Sequence, residues 1–121
     1  MTEHPSFPGW GQLRINDTII HGFDSESIHT PTQIQAEAIP SILQGRSTVI
    51  HSATGTGKTL AYLLPLLQRM TEPSCGRALI MAPGTELVMQ IAQVARLFKD
   101  EALSVGCAVA SVSHGRQRQN I

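Results

Sequence analysis

A glycine-rich loop at residues 52–59, Ser-Ala-Thr-Gly-Thr-Gly-Lys-Thr, leaves few folds open to this 121-residue chain. A segment rich in β-branched residues precedes the loop, and an apolar stretch follows it from Lys58 onward. Gly55 and Gly57 allow a tight turn in which backbone N–H groups point inward. A helix that begins at Lys58 adds its positive end to the same place. The pattern therefore predicts a strand–loop–helix unit that binds the phosphates of a nucleotide.

The residue types in this loop predict which residue contacts the phosphates and which one binds the metal. Lys58 supplies a point charge for the β- and γ-phosphates, and the Thr59 hydroxyl is placed to ligate Mg²⁺. These two residues are the catalytic candidates, and Thr59 is also the metal candidate. The strict pattern has Gly where Ser52 stands, and another small residue is a mild departure. The nucleotide-binding candidates in the loop are Ser52, Ala53, Thr54, Gly55, Thr56, Gly57, Lys58 and Thr59.

Hydrophobic periodicity and capping residues predict the remaining elements. Helices are expected over residues 17–26, 33–44, 58–70 and 86–99, and strands over 47–51, 77–82 and 104–112. Strands that alternate with helices of this length indicate a parallel, three-layer α/β/α sheet. We expect an extended lead-in over residues 1–12 and a single incomplete domain over residues 13–121. The strand at 48–50 is expected to lack a paired neighbour within this chain.

Two residues upstream of the loop are candidates for contact with a nucleotide base. Gln35 lies 23 residues before Lys58, and its amide can donate and accept together, which matches N6 and N7 of adenine. Trp10, 25 residues before Gln35, carries an aromatic ring that can stack on the base. Each also has a simpler interpretation. Gln35 would then be a polar residue on an exposed helix face, and Trp10 would cover the edge of the core.

Three segments together resemble motifs of the DEAD-box RNA helicases. Residues 31–35, Pro-Thr-Gln-Ile-Gln, resemble the core of the Q motif, and residues 52–59 resemble motif I. Residues 82–90, Ala-Pro-Gly-Thr-Glu-Leu-Val-Met-Gln, are similar to motif Ia, and Trp10 falls at the place of the family's isolated upstream aromatic residue. The resemblance extends from Trp10 to about residues 114–115. It implies a RecA-like P-loop NTPase fold and an ATP-dependent RNA-unwinding enzyme that uses ATP and Mg²⁺ and binds RNA.

The resemblance also implies residue roles. It assigns adenine recognition to Gln35 and stacking on adenine to Trp10. It assigns contact with the RNA backbone to the motif Ia segment Pro83, Gly84, Thr85 and Glu86. Gly84 and Thr85 stand where the family has Thr and Arg, and the missing guanidinium weakens the case for RNA contact there.

The given sequence ends at Ile121, before any Asp-Glu-Ala-Asp segment. The resemblance therefore implies the N-terminal part of the first RecA-like domain, and we expect this chain alone to be nearly inactive as an ATPase. One alternative is a non-catalytic module that binds nucleotide or RNA. Another is a P-loop ATPase of a sister family, such as a DNA helicase, against which Gln35 and Trp10 at their spacing argue.

Charge and hydropathy exclude several other classes. Lys plus Arg and Asp plus Glu are 9 each, so a polybasic tail or membrane patch is not expected. The longest apolar run, residues 60–67, is too short to span a bilayer and contains Pro65. No targeting signal is recognisable, so an intracellular protein is expected, with cytoplasm, nucleus and mitochondrion all open. We expect no obligate oligomer.

Overall fold

Three helices form the part of the chain that the computed structural model describes, namely residues 13–16, 19, 30–55, 57–72, 76–99 and 103–109. Helix α1 spans Gln33–Leu43, α2 spans Lys58–Met70 and α3 spans Thr85–Phe98. All three agree with the predicted helices to within one residue at each end. The helix predicted over 17–26 lies outside the described residues, apart from Ile19. None of the helices in the described ranges has the length and apolar character that a membrane crossing requires.

The C-terminal end of α1 is fixed by a glycine, as the sequence predicts. Gly45 has φ of 78°, in the left-handed region. Its N–H bonds the carbonyl of Ile42 at 2.9 Å, and the N–H of Arg46 bonds the carbonyl of Ser41 at 3.2 Å. This pair of bonds is the Schellman arrangement, which satisfies carbonyls that the helix itself leaves open. Pro40 lies inside α1 without ending it.

The hydrophobic core is built around α2, which packs against α1 and, over a smaller area, against α3. Apolar side chains lie around most of the circumference of α2, so this helix is buried both toward α1 and toward α3. Each aliphatic side chain buried in this way contributes about 1.5–3 kcal/mol. The core cluster contains Leu13, Ile15, Ile19, Ile39, Leu60, Leu63, Leu64, Leu67, Ala95 and Phe98.

The three segments predicted as strands are not paired strands in this structure. Residues 47–51, 77–82 and 104–109 form no strand, and residues 110–112 lie outside the described ranges. Val49 is 94% exposed, and Leu79 and Met81 are 85% and 86% exposed. A strand is defined by its ladder of hydrogen bonds to a neighbour, and within the described part of the chain no ladder forms. The strand predictions were therefore wrong for these residues.

Replacing Gly45 with Ala tests the end of α1. A Cβ there meets nothing closer than 3.5 Å, so the cost comes from the left-handed backbone. We expect Gly45→Ala to lower the free energy of unfolding by about 1–2 kcal/mol, measured by chemical denaturation. Gly76→Ala is the matched control, because nothing lies within 4 Å of its Cβ position and its φ is not positive. Equal losses in the two variants would contradict this account.

Candidate nucleotide-binding site

The glycine loop leads into α2 through two left-handed residues. Gly55 has φ of 82° and Gly57 has φ of 90°. Gly57 is the N-cap of α2, and no side chain caps this end, so backbone N–H groups of the first turn have no side-chain acceptor there. Such an end attracts anions. Gly55 and Gly57 therefore form the tight, left-handed turn before α2 that the sequence predicts. Thr56 lies outside the described residues.

Gln35 ties this loop to the start of α1. Its side chain is 2% exposed. Its Oε1 accepts the N–H of Thr32 at 2.8 Å, and its Nε2 donates to the carbonyl of Gly57 at 3.1 Å. The Thr32 hydroxyl in turn accepts the N–H of Gln35 at 3.4 Å, which completes a reciprocal cap. The alternative that placed Gln35 on an exposed helix face is wrong.

The sequence contains a pattern that predicts this cap, and the interpretation of Gln35 as an adenine contact did not consider it. Thr32 followed by Gln35 fits the Thr-x-x-Gln pattern of a capping box. In that role one lone pair of Oε1 and one N–H of Nε2 are already used. An amide offers two lone pairs and two N–H groups, so one of each is left for a base.

Lys58 closes the loop on itself. Its Nζ donates to the carbonyl of Ser52 at 2.7 Å, across six residues. The side chain is half-buried, so the ammonium is held at the loop instead of extending into solvent. Two of its three N–H donors are not used by this bond. The geometry brings the first residue of the loop and the candidate lysine together.

Thr59, the metal candidate, contacts an aromatic side chain on the same helix. The Thr59 hydroxyl hydrogen-bonds the phenol of Tyr62. Burial raises the pKa of Tyr62 above its ordinary 10.0, and the hydrogen bond from Thr59 opposes that rise. Among the described residues no group of three or more His, Cys, Asp or Glu side chains is placed to hold a metal. A Mg²⁺ ion at this place fits the hydroxyl oxygen of Thr59, since Mg²⁺ prefers oxygen ligands.

A shallow groove of about 380 Å³ runs between the start of α1 and the start of the loop. Gln33 and Glu37 lie on its α1 side and are joined by a hydrogen bond of 3.2 Å. The groove lies beside the capped end where Gln35 is buried, which is the side predicted for the base. Trp10 lies outside the described residues. The groove is lined by Thr32, Gln33, Ile34, Glu37, His51 and Ser52.

The segment predicted to contact RNA forms the exposed beginning of α3. Gly84 is the N-cap, with no side-chain cap, and Glu86 lies in the first turn. Pro83, Gly84, Thr85 and Glu86 are all exposed. Leu87, the next residue, lines a groove of about 270 Å³ together with Thr59, so the start of α3 lies near the start of α2.

Comparison with protein families and known proteins gives concordant matches. A family model described as DEAD/DEAH box helicase matches residues 32–121. An ATP-dependent RNA helicase of Phaeosphaeria nodorum is 39% identical over 84% of this chain, which spans 16% of that relative. An ATP-dependent rRNA helicase of Coccidioides immitis is 44% identical over 80% of this chain, which spans 20% of it. This chain therefore covers about a fifth of the length of these curated relatives.

A solved structure shows the fold. The crystal structure of a DEAD box protein from the hyperthermophile Methanococcus jannaschii matches with a TM-score of 0.82. The match covers 93% of this chain and 31% of that chain, at 24% sequence identity. The predicted fold class, a partial RecA-like P-loop α/β domain, is therefore confirmed at the level of overall architecture, even though the described residues form no paired strands.

A methyl group at Gly57 tests the tie between the loop and α1. A Cβ there would lie 2.4 Å from Nε2 of Gln35 and 3.2 Å from the Thr32 hydroxyl. We expect Gly57→Ala to lower the free energy of unfolding by about 3–4 kcal/mol, because it combines left-handed strain with a displaced buried amide. The measurement is chemical denaturation.

Gly55→Ala is the control for Gly57→Ala. Gly55 has a similar φ of 82° and nothing within 4 Å of its Cβ position, so it reports the backbone strain alone. We expect a loss of about 1–2 kcal/mol for this variant. If Gly57→Ala and Gly55→Ala were equally stable, the contact between Gly57 and Gln35 would contribute nothing to the free energy of unfolding.

The alkaline titration of Tyr62 tests the packing beside Thr59. Tyr62 is the only tyrosine, so absorbance of the phenolate reports it alone. Since burial raises its pKa, we expect a midpoint above 10.0 in the folded chain and a still higher one in Thr59→Val. Stability from the neutral phenol is complete below pH 10 and is lost as the pH rises above it. Tyr62→Phe should remove that loss, and a midpoint at or below 10.0 would refute the burial.

Proposed function

The chain belongs to the DEAD/DEAH box helicase family, and on that premise we propose that it carries the ATP-binding part of an ATP-dependent RNA helicase. The observation that supports this most directly is the loop geometry at the start of α2. There, left-handed Gly55 and Gly57 leave the helix end open while Lys58 is held at the loop. In the whole protein, ATP binding and hydrolysis would be coupled to the unwinding of RNA.

The triphosphate is proposed to occupy the open N-terminus of α2. Backbone N–H groups of the loop donate to the phosphate oxygens, and Lys58 places its ammonium against the β- and γ-phosphates. The carbonyl of Ser52 now holds that ammonium at 2.7 Å. A phosphate oxygen is a stronger acceptor than a neutral carbonyl because the bond is charge-assisted. Binding therefore moves the ammonium from Ser52 to the phosphates over a short distance.

Thr59 is the residue of this chain proposed to hold Mg²⁺. When bound, Mg²⁺ neutralises charge on the phosphates. The Thr59 hydroxyl lies beside the phenol of Tyr62, and a hydroxyl oxygen has two lone pairs that a cation can use.

The adenine ring is proposed to lie on the α1 side of the loop. Gln35 keeps one lone pair and one N–H beyond its two internal bonds, and these suit N6 and N7 of adenine. Trp10 is proposed to stack on a face of the adenine ring. Because the internal bonds hold the amide in place, its free groups are oriented before the base arrives.

RNA is proposed to contact the start of α3. Pro83, Gly84, Thr85 and Glu86 expose backbone N–H groups and a hydroxyl there, which suit phosphate oxygens. Glu86 and the absence of an arginine in this tetrapeptide make the contact weak. It would help to hold the RNA backbone without reading its sequence.

Lys58→Ala tests the phosphate contact. Loss of a charge-assisted bond to phosphate should weaken ATP binding by about 10- to 100-fold, measured by calorimetry with Mg²⁺ present. Lys99→Ala is the matched control, since Lys99 is the only other lysine and lies at the far end of α3. Unchanged ATP affinity in Lys58→Ala would refute the loop assignment.

Nucleotide selectivity and ATP hydrolysis separate the proposed function from its alternatives. An adenine contact at Gln35 and Trp10 should make GTP bind more weakly than ATP, whereas a nucleotide site without base recognition would not discriminate. ATP hydrolysis by the whole protein that rises when RNA is added supports the helicase. Nucleotide binding without any turnover in the whole protein would favour the non-catalytic module.

A further inference from the structure

Residues 77–82, Arg-Ala-Leu-Ile-Met-Ala, form an open segment between α2 and α3. Within the described part of the chain, none of their backbone N–H or carbonyl groups is hydrogen-bonded. Leu79 and Met81 are almost fully exposed, whereas Ile80 between them is 36% exposed. This alternation is typical of extended backbone with Leu79 and Met81 on one face. We propose that the open segment pairs, as an antiparallel strand, with the same segment of a second copy of this chain.

Two features of the open segment favour pairing with another strand. Unpaired N–H and carbonyl groups in a row form a template for a further strand, and pairing replaces water on each of them. Exposed apolar side chains add a second driving force, because pairing removes part of their surface from water. The segment contains no proline, and its only charge is at its first residue, Arg77. It therefore lacks the residues that usually protect an exposed edge.

The order of residue sizes makes the open segment complementary to itself. In an antiparallel pair centred on Ile80, Leu79 of each copy lies opposite Met81 of the other, and Ala78 lies opposite Ala82. Large side chains thus face large ones and small face small. Residues directly opposite each other have Cβ atoms about 4.5–5.5 Å apart, so these pairs touch. The contact is two-fold symmetric and closes with two chains.

Charge and proline fix this register. Centring the pair on Leu79 instead places Arg77 opposite the apolar Met81, and centring it on Met81 places Pro83, which has no N–H, opposite Leu79. Centring on Ile80 avoids both, because Arg77 then lies opposite Pro83 beyond the end of the ladder. The chain has a net charge of zero, so two copies do not repel each other. The second copy therefore fits the segment in one register.

The size of the contact sets its strength. Two short strands bury less surface than the roughly 1,200–2,000 Å² of a stable complex. The dimer is therefore weak, and it forms as the concentration of the chain rises. It is not obligate, since the helices and the core of each copy are complete without the contact.

Sedimentation equilibrium of the full 121-residue chain, from low micromolar to millimolar concentration, tests the dimer. We expect a monomer–dimer equilibrium. Leu79→Lys should weaken the dimer by about tenfold, because the ammonium replaces an apolar contact with Met81 twice in each dimer. Val49→Lys is the matched control, since Val49 is as exposed as Leu79 and gains the same charge outside the open segment. It should leave the dimer unchanged.

A charge swap tests the register. Leu79→Lys/Met81→Glu places a lysine opposite a glutamate twice in each dimer, so it should recover most of the affinity that Leu79→Lys loses. Leu79→Lys/Met81→Lys places like charges opposite each other and should abolish the dimer. Both positions are almost fully exposed, so folding is unaffected, and circular dichroism of the dilute monomer checks this.

Four results would overturn the proposal. A parent chain that stays monomeric at the highest concentration rejects a second copy as the partner. Growth beyond two chains rejects the closed, two-fold contact. Equal weakening by Val49→Lys and Leu79→Lys shows that the contact does not lie in the open segment. Failure of the charge swap to recover affinity rejects the antiparallel register centred on Ile80.

Discussion

The hydrogen bond from the buried amide of Gln35 to the carbonyl of Gly57 joins the beginnings of two helices. Both partners lie in positions that leave little freedom, since Gln35 is 2% exposed and Gly57 has φ of 90°. A buried amide left without its acceptor would cost about 1–3 kcal/mol. The start of α1 therefore cannot shift without disturbing the start of α2. That coupling places the base side and the phosphate side of the candidate site in one rigid frame.

This frame explains why the glycine loop holds a defined shape in the structure. From outside, Gln35 fixes the carbonyl of Gly57, and the space beside Gly57 is too small for a Cβ. From within, Lys58 bonds the carbonyl of Ser52. The carbonyls at the two ends of the loop are thus hydrogen-bonded, one to Gln35 of α1 and one to Lys58, while the open end of α2 still offers N–H groups to an anion. In the proposed complex a phosphate would replace one bond of a loop that is already held in shape, which lowers the entropic cost of binding.

The sequence predicted those parts of the structure that depend on neighbours along the chain. Thr32 and Gly45 mark the two ends of α1, and both marks are local, so the helix was located to within one residue. Strands depend on a ladder to a distant segment, and periodicity at 47–51 says nothing about whether such a partner pairs with it. Gln35 was recognised as important, but its buried tie to Gly57 spans 22 positions and was missed. Gln68 accepts the N–H of Asn16 and donates to the carbonyl of Arg14, and these bonds span 52 and 54 positions, beyond the reach of any local pattern.

Gln35 and Gln68 differ in burial, and that difference separates the two ends of α2. Gln35 holds Gly57 in the protein interior, where breaking the bond leaves polar groups without water. Gln68 makes the same kind of two-point contact at the surface, where water competes for both groups. The start of α2 is consequently held by a buried bond, whereas the bonds that Gln68 makes to Asn16 and Arg14 near the end of α2 exchange with solvent at little cost. The same amide chemistry therefore fixes one end of this helix firmly and the other end weakly, because it is used once inside the core and once outside it.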